Sequence, residues 1–324
     1  MVYSRIMWPK SIQSSRPWTI GVKQISGASF FPIPGLALGV YPHPGCLQTQ
    51  FDLHVHEHFS ELVFVLEGTG EHIISGHSYP VSPGDVFLVW GDLPHCYSGN
   101  ALKLVNILFN WEALGLTELD LGESPAWQTL FVIDPASTAA DRFNQRFRLL
   151  PEDFQRILQL TGQLEDLLHA KPSPPGVRFL ARSCFQTILS ELLSAYSRTT
   201  DAVVTRQPRH KLGELAAMLE RDYARPITLR EMCGKAGMSS ATLFRHFRRF
   251  YHDTPVNYLI RQRLTHAAEL LRNASGLTIG DIAFQCGFRD SAYFTLKFKE
   301  LYHETPLHYR RRNAASGGWR GTED

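Results

Sequence analysis

The sequence predicts an α+β multidomain protein: an N-terminal antiparallel β-barrel, a helical connector and a C-terminal all-α domain with two helix-turn-helix motifs. Three observations predict this order. Short apolar runs alternate with turn residues between about 20 and 115, two amphipathic helical stretches follow, and one helical pattern occurs twice after residue 210. The 324 residues suffice for about two domains.

The composition is that of an ordinary globular protein, with 44% apolar and 20% charged residues. It excludes a collagen, a mostly disordered chain and a membrane-spanning protein, because the longest wholly apolar runs, such as 62–66, fall far short of the roughly 20 residues that a membrane helix needs. The first residues lack the apolar segment of a signal peptide, and the five cysteines are scattered without a CxxC pair. We therefore expect a cytoplasmic protein without a disulfide framework or a zinc ribbon, and we expect no membrane partner.

The strand-rich region is predicted to form a barrel domain over 20–150, preceded by an N-terminal tail over 1–19. Runs such as 61–66, 70–74 and 86–90 are separated by turn signals at 76–77, 83–85 and 99–100. Several strands at this spacing are typical of a sandwich or a barrel. Residues 116–150 give a mixed signal, and their elements remain unassigned.

Two helices are predicted over 152–170 and 177–196, where apolar residues recur at helical spacing. The run KPSPPG at 171–176 separates them. Residues 151–200 are interpreted as a helical connector that packs on the barrel or pairs two subunits of a homodimer. A linker over 201–210, an all-α domain over 211–313 and a C-terminal tail over 314–324 complete the predicted organisation.

The net charge of +2 hides a strong asymmetry along the chain. Residues 1–208 carry 14 Lys and Arg against 19 Asp and Glu, whereas residues 209–313 carry 18 against 10. The C-terminal part is therefore basic by eight charges. Such a segment is typical of a domain that binds a polyanion, although a solvated basic face would have the same composition.

The C-terminal part contains an internal repeat. The pattern of 227–238 recurs at 277–288, and the Thr-Pro pair at Thr254 recurs at Thr305. Correspondence over this length at nearly one offset indicates two copies of one structural unit.

Each copy is predicted to be a helix, a turn at a glycine and a second helix. Thr228 and Thr278 have the positions of N-caps, each with an acidic residue three positions later as in a capping box. Leu243 and Phe247, and likewise Phe294 and Phe298, are expected to face inward, which leaves the opposite face of each second helix for the major groove of DNA. A single such unit is more often ordinary helical packing, but two tandem copies in a basic segment favour DNA binding.

The connection between the copies supports this interpretation. Thr254 is expected to cap a helix that has Pro255 at its first position and continues to Arg272. Eighteen residues at about 1.5 Å each span roughly 27 Å. A strut of that order holds two recognition helices about one DNA turn apart, near 34 Å.

Residues 211–312 closely resemble the DNA-binding domain of AraC/XylS-type bacterial transcription regulators. The resemblance rests on ITLREMCGKAGMSSATLFRHFRRF, TPVNYLIRQRLTHAAELL and LTIGDIAFQCGFRDSAYFTLKFKELYHETPLHYR. It implies that positions of the two second helices contact bases, and Arg245 is the natural bidentate partner for guanine. The expected DNA-binding residues are Ser240, Ala241, Phe244, Arg245, Arg248, Arg249, Arg289, Ser291, Ala292, Tyr293, Leu296 and Lys297. Of these, Arg248, Arg249, Arg289 and Lys297 are expected on phosphates.

A second group of candidate residues lies in the predicted barrel. His54 and His56 alternate on one side of a strand, and Glu61 and His95 are expected on neighbouring strands. Three imidazoles and a carboxylate suit a divalent metal such as Fe, Mn, Ni or Zn. They also suit a metal-free pocket for a small effector, which is the favoured interpretation, or a buried polar cluster with a structural role only. Trp90 and Tyr97 are candidates for stacking against a sugar, and His58 is expected at the rim.

The stretches HEHFSELVFVLEGTGEHI and PGDVFLVWGDLPHCYS resemble cupin motifs, although the nearest glycine to the usual opening position is Gly45. The resemblance is nearest to regulators of the rhamnose-operon type. It implies a cupin-like barrel that binds an effector, expected to be a sugar, and a domain that binds promoter DNA and acts on RNA polymerase. The residues do not decide between activation and repression.

We predict a transcription regulator that is not an enzyme, with no certain cofactor beyond a metal in the barrel as an open alternative. A metal-dependent cupin enzyme with an accessory helical domain is the rival interpretation. The basic charge and the repeat argue against it. A DNA-binding protein with a purely structural barrel is a third interpretation.

Overall fold

The computed structural model describes residues 22–27, 30–43, 49–50, 53–74, 77–91, 93–116, 120–133, 146–198, 208–273 and 276–316. They divide into two compact units. An N-terminal unit contains residues up to Leu121 and from Thr129 to Thr205, and a C-terminal unit contains the chain from Arg206 together with Gly122–Gln128. The predicted N-terminal tail, 1–19, lies outside the described residues.

The N-terminal unit is built on nine strands in one sheet. The strands are β1 (Lys23–Ser26), β2 (Leu38–His43), β3 (Thr49–Gln50), β4 (His54–Glu57), β5 (Ser60–Ile74), β6 (His77–Val81), β7 (Asp85–Val89), β8 (His95–Phe109) and β9 (Arg146–Arg148). Their order is β1-β4-β8-β5-β7-β9, with β2 and β3 also on β8 and β6 also on β5.

The sheet differs from the predicted antiparallel barrel in two respects. First, β1 pairs with β4 in parallel, so the sheet is mixed. Second, within the described strands the path ends at β1 on one side and β9 on the other and does not close. The remaining pairings are antiparallel, as predicted.

The two fifteen-residue strands, β5 and β8, form the centre of the sheet. Their pairing is interrupted by register shifts around Glu67, the signature of β-bulges that bend a strand. Gly68 lies in this region with φ +82°, and a Cβ there would lie 2.6 Å from the carbonyl carbon of Ala101. Only glycine satisfies both the backbone angle and this close approach.

The two faces of the sheet have different neighbours. Val63 and Val65 belong to an apolar cluster with Phe87, Val89 and other buried residues on one face. Side chains alternate along a strand, so Phe64 lies on the opposite face. Its ring is 6.3 Å from that of Phe154, which belongs to a helix.

Two helices, α1 (Pro151–His169) and α2 (Val177–Arg198), cover that opposite face. Phe109 of β8 packs on Phe185 of α2 with the ring centres 5.1 Å apart. The predicted connector over 151–200 is therefore packed on the sheet as part of the N-terminal unit, and its helices begin and end within two residues of the predicted positions. The described residues contain no helix long and apolar enough to cross a membrane.

Besides β9, the described residues of the region that the sequence left unassigned, 116–150, form three short helical elements. A 3-10 turn at Asp120–Glu123 is followed by one helical turn at Pro125–Trp127, which Ser124 caps. A π-helix over Gln128–Ile133 comes next.

The C-terminal unit is all-α, as predicted. Its helices are α3 (Pro208–Arg221), α4 (Leu229–Ala236), α5 (Ser240–Tyr251), α6 (Pro255–Asn273), α7 (Ile279–Gln285), α8 (Ser291–Tyr302) and α9 (Pro306–Ser316). Helix α3 begins inside the expected linker over 201–210, and α9 continues to Ser316, inside the expected tail over 314–324. Proline at the first helical position of both helices suits their start, because its missing N–H has no partner there in any case.

The caps of the repeat largely follow the prediction. Thr278 and Asp281 form a reciprocal capping box at the start of α7. Thr228 caps α4 by accepting a hydrogen bond from Glu231 N, and the Glu231 carboxylate also pairs with Arg225 at 2.6 Å. Gly237 ends α4 in the left-handed region at φ +63°, and Ser239 and Asp290 cap the two second helices.

The inward-facing residues of both copies are buried as expected. Leu243, Phe247, Phe294 and Phe298 have no exposed side-chain surface. In the second copy, Phe294 and Phe298 pack with residues of α6 and α7 in one core cluster. This packing fixes which face of α8 remains outside.

Candidate functional sites

Helix α5, the second helix of the first helix-turn-helix copy, presents a polar and basic outer face. Ser240, Ala241, Arg245, Arg248 and Arg249 are exposed, whereas Phe244 is half-buried. The helix is amphipathic because Leu243 and Phe247 occupy its inner face at a spacing of four residues. The structure thus places the predicted residues of the first copy on one accessible face, with Phe244 at its margin.

The corresponding helix of the second copy, α8, has a more apolar outer face. Ser291, Ala292, Tyr293 and Leu296 are exposed, and Arg289 is exposed in the turn before the helix. Tyr293 and Leu296 are 42% and 55% exposed, respectively. Large apolar side chains left outside on a helix of a helix-turn-helix unit suit contacts with thymine methyl groups.

The cationic side chains on and beside the outer faces of α5 and α8 differ in their ion pairs. Lys297 is half-buried, with its Nζ 2.7 Å from Glu300 Oε2 and 5.8 Å from the ring centre of Tyr293. Within the part of the chain that the structure describes, Arg245, Arg248 and Arg289 have no carboxylate within ion-pair distance. These three guanidinium groups are therefore available to an external anion, whereas Lys297 is paired with Glu300.

Helix α6 links the two copies. It has 19 residues, and Thr254 Oγ1 accepts a hydrogen bond from Asn257 N at 3.1 Å at its start. At about 1.5 Å per residue its length is about 28 Å. This length agrees with the strut that the sequence predicted between two recognition helices.

The N-terminal unit brings His54, His56, Glu61 and His95 together. One nitrogen atom from each of the three imidazoles lies within 4.8 Å of the others. His54 and His95 face each other across the pairing of β4 and β8. Glu61, on β5, places its Oε2 3.3 Å from His95 Nε2 and 3.9 Å from His56 Nε2. The four residues predicted from the sequence therefore form one cluster.

The cluster is buried around a carboxylate. Burial would raise the pKa of Glu61, but the hydrogen bond with His95 and the charges of the neighbouring imidazoles outweigh it, and the pKa falls to about 2. Burial lowers the pKa of His56 to about 3, against the opposing effect of Glu61. At neutral pH the cluster therefore combines an ionised carboxylate with a neutral His56.

Hydrogen bonds fix part of the cluster and leave another part open. His95 Nδ1 donates to the Leu93 carbonyl at 3.0 Å, since a carbonyl can only accept, and this orients the ring. His56 Nδ1 is buried and has no hydrogen-bond partner among the described residues. A buried polar atom without a partner is costly, so this nitrogen suits a bound group. His54 is only half-buried and lies on the accessible side of the cluster.

The other predicted pocket residues pack against aromatic rings. Tyr97 is buried and stacks on His72 with the ring centres 4.2 Å apart, and its ring is 6.1 Å from that of His95. Trp90 packs edge-on against Phe131. His58 is 85% exposed at the end of β4, as a rim position requires.

The structure adds residues that the sequence analysis missed. Asn106 donates to Glu61 Oε1 and lies 3.2 Å from His43 Nε2. His72 is fully buried between Tyr97 and Phe87. One signal in the sequence could have identified Asn106: it is a polar residue inside the apolar strand run LVNILF. Buried polar residues are the informative exceptions in such runs.

Comparison with known families matches both units. A helix-turn-helix domain model matches residues 232–312, and a cupin domain model matches residues 43–107. A cupin domain joined to a pair of helix-turn-helix units defines a DNA-binding transcription regulator of the AraC type.

The curated relatives specify the kind of regulator. The HTH-type transcriptional activator RhaR of Klebsiella pneumoniae is 31% identical over 291 residues, which is 89% of this chain and 96% of that protein. RhaR of Escherichia coli K12 is 31% identical over 82% of this chain and 89% of that protein. The chain belongs to this RhaR family of regulators and is a regulator rather than an enzyme. The metal-dependent cupin enzyme is therefore not favoured.

Among solved structures, ToxT from Vibrio cholerae is similar at 13% identity, covering 85% of this chain and 97% of that one, with a TM-score of 0.31.

Proposed function

We propose that the chain is a cytoplasmic transcription activator whose N-terminal unit binds a small polar effector, a sugar or a related polyol. The proposed pocket is formed by His54, His56, Glu61 and His95, with Trp90 and Tyr97 as further candidate residues. The names of the relatives support activation as the output.

One observation carries the effector proposal: an ionised carboxylate is buried among imidazoles, one of which has an unpartnered nitrogen. A carboxylate accepts hydrogen bonds from hydroxyl groups, and imidazole nitrogens can accept or donate. A polyol offers several hydroxyl groups close together and can therefore engage both kinds of partner. A fatty or purely apolar ligand would leave His56 Nδ1 without a partner.

The same donors also fit a divalent metal. The nitrogen atoms of His54, His56 and His95 converge, and Glu61 adds a carboxylate oxygen. Such a metal would be held by these four residues and would offer a positive charge to effector oxygens. This alternative gives a metal-dependent version of the same pocket.

A thermal-shift screen tests the effector proposal. Neutral sugars, polyols and organic acids are added to the full-length chain with and without a chelator. We expect at least one sugar or polyol to raise the melting temperature, because a ligand that binds only the folded state stabilises it. Loss of the shift with chelator, restored by added metal, would favour the metal-dependent version. No shift with any compound would favour the purely structural N-terminal unit.

For DNA, we propose that α5 and α8 enter successive major grooves on one face of the duplex. Arg245 is assigned to a base edge, and Ala241, Phe244, Ala292, Tyr293 and Leu296 to neighbouring base positions. Arg248, Arg249, Arg289 and Lys297 are assigned to phosphates, and Ser240 and Ser291 to the backbone near the helix starts. A duplex recovered by the wild-type chain from a random-sequence pool, here called the selected duplex, provides the probe for the tests below.

Removal of the Lys297 cation should weaken binding without changing sequence preference. Lys297→Ala is expected to lower affinity for all duplexes alike and to reduce the slope of log K against log salt by about one unit, since one phosphate contact is lost. Fluorescence anisotropy over a salt series measures this slope. Lys103→Ala is the matched control, because Lys103 is ion-paired with Glu67 at 2.6 Å but lies in the N-terminal unit. A loss confined to certain sequences would assign Lys297 to base reading instead.

We also propose RNA polymerase and a second copy of the chain as partners. Activation requires an effect on polymerase, and the relatives' names support that role. Phe179 and Leu180 at the start of α2 are 73% and 41% exposed, which supports a contact between two copies there. Light scattering on Phe179→Ser tests it. A dimer that becomes monomeric supports this contact, and an unchanged oligomeric state excludes it.

A further inference from the structure

The short segment Gly122–Gln128 has an unusual place in the molecule. It lies in the chain between β8 and β9, which both belong to the N-terminal unit, yet it folds as part of the C-terminal unit. Ala126, Trp127 and Gln128 are almost completely buried. The segment therefore has a fixed, buried position within the C-terminal unit.

The side-chain amide of Gln128 forms hydrogen bonds there through both its nitrogen and its oxygen. Its Nε2 donates to the Gly122 carbonyl at 2.7 Å and to Glu220 Oε1 at 2.9 Å. Its Oε1 accepts a hydrogen bond from the Tyr251 hydroxyl at 3.1 Å. Tyr258 also donates to Glu220 Oε1. The result is a connected polar network in which each group has a hydrogen-bond partner in another.

Gly122 permits the close approach on which this network depends. A Cβ at this position would overlap Glu220 Oε2 and would lie 2.6 Å from Glu220 Cδ. Glu220 is held by Tyr258 and Gln128 and cannot simply turn away. Its burial raises its pKa, and the hydrogen bonds from Tyr258 and Gln128 oppose that rise. Any larger residue at 122 must therefore displace the segment or the Glu220 carboxylate that accepts hydrogen bonds from Gln128 and Tyr258.

The network touches the parts of the C-terminal unit that set the position of the first recognition helix. Tyr251 is the last residue of α5, and Tyr258 lies in the first turn of α6. Both rings are buried and 5.1 Å apart. A shift of segment 122–128 therefore acts where α5 joins the helix that spaces it from α8.

The other end of the same element lies in the N-terminal unit. Gln128 begins the π-helix that ends at Ile133. Phe131, in its middle, is fully buried and packs against Trp90 and Trp111, with ring centres 6.1 and 5.6 Å away. Single π-helical turns are rare in proteins, and those that occur often lie at functional sites. Because Phe131 is only three residues from Gln128, a rearrangement around Phe131 is transmitted to Gln128 through the backbone.

We propose that segment 122–128 is a positioning element that couples the state of the N-terminal unit to the first recognition helix, with Gly122 and Gln128 as its positioning residues. This inference goes beyond effector binding. It concerns how a change in one unit reaches DNA contacts in the other, and it assigns that role to a segment of no recognisable motif.

Because coupling between two sites is reciprocal, DNA can serve as the ligand and the N-terminal unit as the reporter. Hydrogen–deuterium exchange is measured on the full chain with and without a saturating amount of the selected duplex. In the wild-type chain we expect the duplex to slow exchange of amides 129–133 by about fivefold or more. In Gly122→Ala and in Gln128→Ala we expect this slowing to be lost, although the duplex is still bound at saturation.

Two matched controls accompany these variants. Gly234→Ala adds the same methyl group to a helix of the C-terminal unit where nothing lies within 4 Å. Gln285→Ala removes an exposed glutamine from α7. Both controls should keep the wild-type slowing. Equal slowing in Gly122→Ala and the wild-type chain would overturn the proposal, and so would loss of slowing in the controls. Failure of the effector screen would leave this experiment unaffected, so the two proposals are tested separately.

Discussion

Replacement of His56 by alanine is expected to remove the response to the effector while leaving DNA binding intact. His56 is buried beside Glu61, and its Nδ1 has no hydrogen-bond partner among the described residues. Removal of the ring leaves the bound hydroxyl group without its buried partner, which costs about 1–3 kcal/mol. The dissociation constant for the sugar found in the thermal-shift screen should therefore rise roughly 5- to 150-fold. Isothermal titration calorimetry measures this change.

The control for this experiment is His58→Ala. His58 is two positions further along the same segment but is 85% exposed, so its removal should leave sugar affinity unchanged. DNA affinity of both variants should stay within about 0.5 kcal/mol of wild type, because both histidines belong to the N-terminal unit and, in the part of the chain that the structure describes, share no contact partners with the predicted DNA-binding residues. His56→Gln guards against loss of folding, since it preserves most of the buried volume. Normal sugar affinity in a folded His56 variant would place the pocket elsewhere.

Replacement of Arg245 by alanine is expected to change sequence preference as well as affinity. Arg245 is exposed on the outer face of α5, and among the described residues it has no carboxylate partner to release before binding. A bidentate contact between a guanidinium group and guanine contributes about 1–3 kcal/mol of discrimination. Arg245→Ala should lose that amount on the selected duplex and tolerate any base at one position. Binding to a library of single-base variants of the duplex measures both effects.

Arg248→Ala provides the contrast on the same helix. Arg248 is three residues later and is assigned to phosphate, so its removal should weaken every duplex equally and leave the preference unchanged. Arg245→Lys should behave more like Arg245→Ala than like wild type, because an ammonium group lacks the planar pair of donors. A uniform loss with Arg245→Ala would show that this residue also contacts only the backbone of the DNA.

The C-terminal unit was the more predictable part of the fold, for a local physical reason. Thr278 and Gly237 act through neighbours within a few residues, so their sequence positions largely determine the cap and the turn. The ion pair of Glu231 shows the limit of this reasoning. Its partner, Arg225, lies six residues earlier, outside the motif, and is 2.6 Å from the carboxylate.

The sheet was less predictable because its pairings are not local. Alternation identified β5 and β7, but no feature of Lys23–Ser26 indicates that it pairs in parallel with β4. The bulges around Glu67 alter the alternation as well, and a shift of one residue exchanges the two faces of a strand. The open path of the described sheet follows from such pairings, which sequence patterns do not encode.

The histidine cluster was predicted because its members share one residue type and a spacing that strands can bring together. Asn106 and His43 were missed since they come from strands separated by more than sixty residues. The role of segment 122–128 was out of reach for another reason. Gly122 matters only because Glu220 lies against it, a contact between residues almost a hundred positions apart that follows no periodicity.

The central claim, that α5 and α8 bind adjacent major grooves, is tested most directly by chemical footprinting of the wild-type chain on the selected duplex. Methylation protection of guanine N7 reports the major groove, and hydroxyl-radical cleavage reports the backbone. We expect two protected major-groove segments on one face of the DNA, with centres about 10 base pairs apart. Arg245→Ala should remove protection in only one of them. A single protected segment, or protection without sequence preference, would contradict the account.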